Sequence, residues 1–417
     1  MTIAPDAPKQ SFRLSMLLYD TRYRSATIQV VVLLLAMAGA AWLVDNTIRN
    51  LHALGKDFNF GFLSNRSGYD IGQTLIPYTN DSTHGRALLV GLLNTLLVSA
   101  MGCVAATIIG VFAGVLRLSK NWLVARLMTI YVEVFRNVPL LLWILIILAL
   151  FTEVMPAPNA YRGENAAASM VFFDMIAPTN RYTAIPGIEF LRGLGSVNIA
   201  SIPVSLDVTL MIAALIAGIW INSRVLAHAK KVQEATGDRP TTWWKSILLI
   251  VAPITIVAIV LGFGLTMPEL KGFNFVGGVN VNNSLVVLWL ALSLYTGAFI
   301  AEIVRAGILA VSRGQSEAAF ALGLRPSRTM KLVILPQALR VIIPPLISQF
   351  LNLTKNSSLA IAVGYLDLRG TLGGITLNQT GRELECISLM MLIYLALSLT
   401  ISGVMNIYNN SVKLKER

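Results

Sequence analysis

The chain has 417 residues, 55% hydrophobic and only 13% charged, with mean hydropathy +0.68. Soluble domains carry about 25% charge, so an ordinary soluble enzyme, a disordered chain and a coiled coil are excluded, and a polytopic membrane protein is indicated. The net charge of +12 would suggest nucleic acid in a soluble protein; in a membrane protein the same excess serves topology, because cytoplasmic loops collect Lys and Arg.

A helix needs about 20 apolar residues to cross the bilayer core. The first such run is 26–46. Arg22 and Arg24 precede it, and Ala38-Gly39-Ala40 resembles a cleavage site. The stretch before it is long for a signal sequence, however, and the apolar run continues through Trp42, Leu43 and Val44, so an uncleaved span is expected. An outside loop, 47–86, follows, with Phe58-Asn59-Phe60-Gly61-Phe62. The second span, 87–116, contains Gly110-x-x-x-Gly114, which permits close helix approach. The third is 128–150. Residues 151–203 form a second outside loop rich in Pro, Gly and Asn; turn formers dominate both loops, and short helices or irregular structure are expected in them. The fourth span, 204–225, has Asp207 near its outer end as an interfacial residue. A polar piece, 226–245, ends at Trp243-Trp244-Lys245, an interfacial anchor. The remaining spans are 246–266, 285–309, 338–363 and 386–408. The seventh is weakest: Pro344, Pro345, Asn352, Lys355, Asn356, Ser357 and Ser358 point to a bent or broken helix. The expected class is all-α, with about eight transmembrane helices.

Placing the N-terminus inside puts 21 Lys and Arg in inside segments and 10 in outside ones, with Arg136 and Lys355 within spans. Both termini are therefore expected in the cytoplasm. Cys103 and Cys386 cannot form a disulfide framework. His52, His84 and His228 are scattered, so no metal site is expected.

The segment before the seventh span carries the most information. It reads Ser316-Glu317-Ala318-Ala319-Phe320-Ala321-Leu322-Gly323-Leu324-Arg325-Pro326 and runs on to Leu335-Pro336. Ala318, Ala319 and Ala321 favour helix and leave a thin surface. Glu317 is placed in a first turn, opposing the helix dipole. Gly323 suits the left-handed position after a helix, and Pro326 the first position of the next. The predicted unit is a helix, a turn and a second helix on the inside face, suited to a groove on a soluble partner.

Four charges lie in or near spans: Glu133, Arg136, Glu302 and Lys355. Each needs a partner or a water-filled cavity. Two readings of Lys355 stand. In one, it lines a polar pathway with Asn352, Ser357 and Ser358, where a broken helix end would suit a carboxylate. In the other, it pairs with Glu133 or Glu302 to hold helices together. Glu302 and Arg305 are one turn apart and suited to an intrahelical pair. No catalytic constellation is found. In particular, Gly55-Lys56 is followed by Asp57 and lacks the upstream glycine of a phosphate-cradling P-loop.

The segment Glu317-Ala318-Ala319, Gly323 and Leu335-Pro336 closely resembles the EAA loop of ABC-importer permeases, with Val333 where the family pattern has Ile. Tyr131-Val-Glu133-Val-Phe135-Arg136-Asn137-Val-Pro139-Leu140, Ala301-Glu302-Ile303-Val304-Arg305-Ala306-Gly307 and Lys355-Asn356-Ser357-Ser358-Leu359-Ala360 are similar to segments of its polar amino-acid subfamily. The long form resembles the Q-type permease of general L-amino acid transporters. The resemblance implies a five-helix type I permease core. That core would lie in 87–150 and in 285–408, with the coupling loop at 311–337. The rest would be an N-terminal tail, span and loop (1–86), an insertion with two extra spans (151–284) and a C-terminal tail (409–417). It further implies a non-catalytic subunit of the bacterial inner membrane, a pathway for an L-amino acid, and Glu317, Ala318, Ala319, Gly323 and Pro336 as the contact to an ABC ATPase dimer. That ATPase would hold ATP and Mg, with no cofactor on this chain. The other implied partners are a second permease subunit, a periplasmic amino-acid-binding protein and membrane lipids. The alternatives are an ion-gradient-driven secondary transporter, disfavoured because no inverted repeat is evident, and a membrane enzyme or receptor, for which no catalytic motif is present.

Overall fold

The computed structural model describes residues 16–412, apart from 54, 56, 164–165, 200–201 and 239. The charges of Lys9, Arg13, Lys56, Arg239, Lys413, Lys415 and Arg417 therefore lie outside the described residues. The chain forms two units, Met1–Phe60 and Gly61–Arg417. The first is dominated by helix α1 (Thr21–Ala53), an apolar helix with Asp45 and Arg49 paired across one turn.

The second unit is built on a parallel pair, α2 (His84–Leu116) and α7 (Asn283–Leu309). Thr83 caps the first by accepting a hydrogen bond from the Arg86 N–H at 3.2 Å. The small-residue stripe then decides how close the pair comes. A Cβ at Gly110 would stand 2.5 Å from the Ile300 Cβ, and one at Gly114 would stand 2.6 Å from the Ala301 carbonyl oxygen. Only glycine allows this approach, so the spacing 110/114 is a packing device. Gly307 plays the same part against Ile342 of helix α9 (Leu335–Asn356).

The predicted third span is two helices, α3 (Trp122–Asn137) and α4 (Leu140–Ala149), bent by 107° around Pro139. Val138 is extended, as the residue before a proline prefers. With that pair counted as one, the candidate spans among the described residues number eight; seven are continuous helical stretches. Helix α5 (Leu206–Thr236) and helix α6 (Trp243–Val260) form an antiparallel hairpin, and Gly218 lies against the Leu249 carbonyl. Asp207 is buried rather than merely interfacial: its Oδ1 accepts the Leu194 N–H at 2.7 Å.

The connection 151–203 is not short helices or irregular chain alone. It contributes β1 (Ala177–Pro178), β2 (Tyr182–Ile185) and β3 (Gly187–Phe190), and the hairpin β4 (Ser196–Ile199) with β5 (Ile202–Ser205). Beyond the α5–α6 hairpin come β6 (Phe263–Thr266), β7 (Glu269–Lys271), β8 (Asn274–Val276) and β9 (Val279–Asn282). β2 lies between β1 and β9, all antiparallel, with Tyr182 opposite Asn282. β3 pairs with β6 in the same way. These strands are four residues or fewer and find partners across the whole inserted hairpin, so no local pattern marks them.

The seventh span is not broken at its two internal prolines. Helix α9 runs through Pro344 and Pro345 to Asn356 and continues as a 3-10 turn, Ser357–Val363, that ends at left-handed Gly364. Helix α10 (Glu383–Val412) completes the chain.

Candidate functional site

Three places gather the chemistry-bearing residues. The first is the loop between α7 and α9. Helix α8 (Arg313–Ala321) is followed by Leu322 and by Gly323 at φ 76°. The Leu324 N–H donates to the Ala319 carbonyl at 3.1 Å and the Gly323 N–H to the Phe320 carbonyl at 2.9 Å. This is the paired closure of a Schellman motif, and it requires a residue without a Cβ penalty at Gly323. Pro326 opens the next turn, Pro326–Thr329, which passes through a wide turn, Met330–Ile334, into α9. The predicted helix–turn–helix is present. Glu317, however, is the fifth residue of α8 and not in its first turn, because the helix starts at Arg313 with Ser312 as its cap residue. Ala319 is buried, while Glu317, Ala318, Gly323 and Pro336 are exposed and Leu322 is 82% exposed. No heavy atom lies within 4 Å of a Cβ built on Gly323. The loop thus presents an open, thin surface held rigid by its own backbone.

The second place is a cluster of five charges where α2, α3 and α7 meet beside that loop. The hub is Arg117, one turn beyond Gly114, with its side chain 9% exposed. It forms an ion pair with Glu302 of α7 and approaches Glu133 of α3 at 3.7 Å. Glu302 also faces Arg136 at 3.7 Å and Arg305 at 3.2 Å. Arg136 stacks over the Phe299 ring at 5.4 Å. The expected Glu302–Arg305 pair is present. Pairing of Lys355 with Glu133 or Glu302 is not: Glu302 faces Arg117, Arg136 and Arg305, Glu133 faces Arg117, and among the described residues Lys355 has no ion pair. Arg117 looked like one more positive residue of an inside loop. The signal that could have found it is its position, one turn past the glycine that sets α2 against α7.

The third place is a recess of about 250 Å³ lined by Lys355, Ser358, Arg369, Met390 and Tyr394. Lys355 is in the last turn of α9, so the helix end here is a carboxyl-terminal one. Its dipole favours a cation such as Lys355 and offers no amide cradle to a carboxylate, contrary to the expectation of a broken amino-terminal end. Any anion here is held by the two cations and the Ser358 hydroxyl. Ser357 is buried and donates to the Thr354 carbonyl at 2.8 Å, and Asn352 is exposed on α9 outside the recess. Behind the recess lies Asp367, fully buried. Its Oδ1 accepts the Gly370 N–H at 2.8 Å and its Oδ2 the Tyr394 hydroxyl at 3.3 Å. Burial pushes its carboxyl from 3.8 up to about 6, against the opposing pull of those hydrogen bonds. The segment is fixed to α2 by Asn94, which donates to the Leu366 carbonyl, and by Thr95, which accepts the Leu368 N–H. Arg369, Asp367 and Tyr394 were absent from the sequence expectations. The pair Asp367 and Arg369 in the otherwise nearly uncharged stretch 356–381 was the available signal.

Comparison with known proteins places the chain in a family. Residues 106–413 match the family model described as binding-protein-dependent transport system inner membrane component. The glutamate/glutamine/aspartate/asparagine transport system permease protein BztB of Rhodobacter capsulatus is 63% identical, with both chains covered in full. The general L-amino acid transport system permease protein AapQ of Rhizobium johnstonii is 46% identical over 98% of this chain and 96% of its own. The putative amino-acid ABC transporter permease protein YhdX of Escherichia coli is 42% identical over 94% and 95% respectively. The chain belongs to the family of binding-protein-dependent transport system inner membrane components.

Proposed function

We propose that this chain is the membrane-spanning permease subunit of an ATP-driven importer of L-amino acids. The observation that carries the reading is the exposed α8–Gly323 turn, a rigid knob of small residues joined directly to α7 and α9. A separate ATPase dimer docks there through Glu317, Ala318, Ala319, Gly323 and Pro336, and its closure moves α9 and the core helices. The charges of Glu133, Arg136 and Glu302, gathered by Arg117, hold α2, α3 and α7 as one body that follows the knob. The substrate path passes Lys355 and Ser358, whose recess offers a cation and a hydroxyl to an amino-acid carboxylate. The names of the relatives support amino acids as the cargo, with acidic amino acids and their amides first. A second permease subunit and a periplasmic binding protein complete the assembly, and ATP and Mg reside on the ATPase. Both termini face the cytoplasm on the charge count. Membership of a binding-protein-dependent family gives the ion-gradient alternative no support.

The test is coupled transport in vesicles with the ATPase and binding protein added. A Gly323→Asn variant should insert and fold, since asparagine accepts the left-handed φ of 76° and nothing in this chain lies within 4 Å of a Cβ there, while uptake and substrate-stimulated ATP hydrolysis fall at least tenfold. Normal coupling in Gly323→Asn, or uptake that survives ATP depletion with an ion gradient intact, rejects the proposal.

A further inference from the structure

Arg369 shares the recess with Lys355 and Ser358, and the function proposed above gives it no task. Asp367, Leu368, Gly370, Thr371 and Leu372 are all buried, while Arg369 in their midst is exposed. The backbone that carries it is fixed at several points. Asp367 caps the turn by accepting the Gly370 N–H at 2.8 Å, and the Leu368 N–H donates to the Thr95 hydroxyl of α2 at 3.0 Å. A Cβ at Gly91 of α2 would stand 2.8 Å from the Asp367 carbonyl oxygen, and one at Gly373 would stand 2.8 Å from the Met390 sulfur of α10. The segment is thus wedged between α2 and α10, and the guanidinium is presented from a rigid base. Lys355 reaches the same recess from another element, the last turn of α9. Among the described residues neither cation has an ion pair. The carboxylate of Asp367 lies buried behind the recess, engaged by the Gly370 N–H and the Tyr394 hydroxyl.

We propose that Arg369 is the residue by which the recess selects a dicarboxylic amino acid: it takes the side-chain carboxylate while Lys355 and Ser358 take the α-carboxylate. This role rests on a substrate path that passes Lys355 and Ser358. Two unpaired cations lining one recess call for two anionic groups. An amino acid with an uncharged side chain offers a single carboxylate and brings its own ammonium toward the second cation, a repulsive arrangement; a dicarboxylic amino acid matches both. The recess, about 250 Å³, is smaller than the ~300 Å³ at which sites for drug-sized molecules begin, so it takes one amino acid at a time. The guanidinium fork grips a carboxylate through two parallel N–H groups, whereas a carboxamide offers it one acceptor oxygen and an opposing NH₂. Arg369 therefore separates an acidic amino acid from its amide. Its backbone is already ordered by the contacts to α2 and α10, so binding costs it side-chain freedom alone.

The experiment measures the ratio of glutamate to glutamine uptake by the full transporter in vesicles, each amino acid presented at saturation on the same binding protein. Comparing variant with wild type on one binding protein cancels that protein's own preference. Arg369→Gln should lower the ratio about tenfold or more, the worth of one charge-assisted hydrogen bond. Its amount, helical content and elution with the second permease subunit should stay as in the wild type. Arg369→Lys should keep part of the preference, because the charge remains and the fork is lost. An equal fall in glutamate and glutamine uptake makes Arg369 a structural residue and overturns the proposal. An unchanged ratio overturns it too; where the second permease subunit is also lost on elution, the guanidinium pairs with that subunit instead. A wild-type chain that takes up neither amino acid refutes the amino-acid reading itself and this role with it, an outcome distinct from any change confined to the Arg369 variants.

Discussion

Arg117 gives the sharpest test of how the inner ends of α2, α3 and α7 are held together. In the variant Arg117→Met the side-chain volume is largely kept and the charge is lost. Glu302 retains Arg305 at 3.2 Å and Arg136 at 3.7 Å, but Glu133 loses its one cation among the described residues. A bare Coulomb term at 3.7 Å and an effective dielectric of about 20 is ~4 kcal/mol. Glu133 is 52% exposed, so solvent reduces its share to about 1 kcal/mol or less. Glu302 is 29% exposed against an Arg117 that is 9% exposed, so its share stays near 2 kcal/mol. A double-mutant cycle of Arg117→Met with Glu302→Gln, followed by thermal unfolding in detergent, should therefore give a coupling of about 2 kcal/mol. Arg117→Lys should restore only part of it, because a compact ammonium lacks the guanidinium fork whose two separate nitrogens face Glu302 and Glu133. In vesicles with the ATPase and binding protein added, the assembly carrying Arg117→Met should still hydrolyse ATP but transport several-fold less substrate per ATP. Additivity within about 0.5 kcal/mol, together with normal transport stoichiometry, would refute the idea that Arg117 joins the three helices.

Other outcomes follow from the same geometry. Gly114→Val places a Cβ 2.6 Å from the Ala301 carbonyl and 2.9 Å from the Val304 Cβ, and should cost about 2 kcal/mol of stability or more; Gly39→Ala, with nothing within 4 Å, should be neutral in the same unfolding assay. Asp367→Asn tests a pH effect whose sign is fixed. A carboxyl raised to about 6 stays protonated in the fold while the unfolded chain ionises near 3.8. Wild-type stability should therefore fall as pH rises from about 4 to 6, by at most ~3 kcal/mol, and level off above; the Asn variant should lack that component in midpoints measured across the window. Lys355→Ala should lower uptake at least tenfold with assembly and amount unchanged, and normal uptake in that variant removes Lys355 from the substrate path.

Much of the α8–Gly323 turn was legible because it is local. Gly323 must accept φ 76°, and Pro326 must begin a turn, whatever surrounds them. Local rules failed where the partner was remote. Glu317 was misplaced by a turn because Arg313 gives no strong start signal. The strands β2 and β9 escaped because each is short and pairs across about 95 residues. The 107° bend at Pro139 was hidden inside an apolar run that reads as one span.

The sequence alone determined that this chain lives in a membrane, how many times its apolar runs can cross, and which loop carries a helix closed by a glycine. Hydrophobic length, the Lys and Arg distribution and a glycine-ended helix are properties of contiguous residues. Tertiary structure decided the use of the charges. Arg117 became a hub and Lys355 did not join it, because glycine contacts draw α2 onto α7 and bring Arg117 to Glu302, while the fold of 365–371 against α2 carries Lys355 to Arg369 and Tyr394 instead. A charge in a low-dielectric setting is defined by what stands within a few ångströms of it, and that is set by packing.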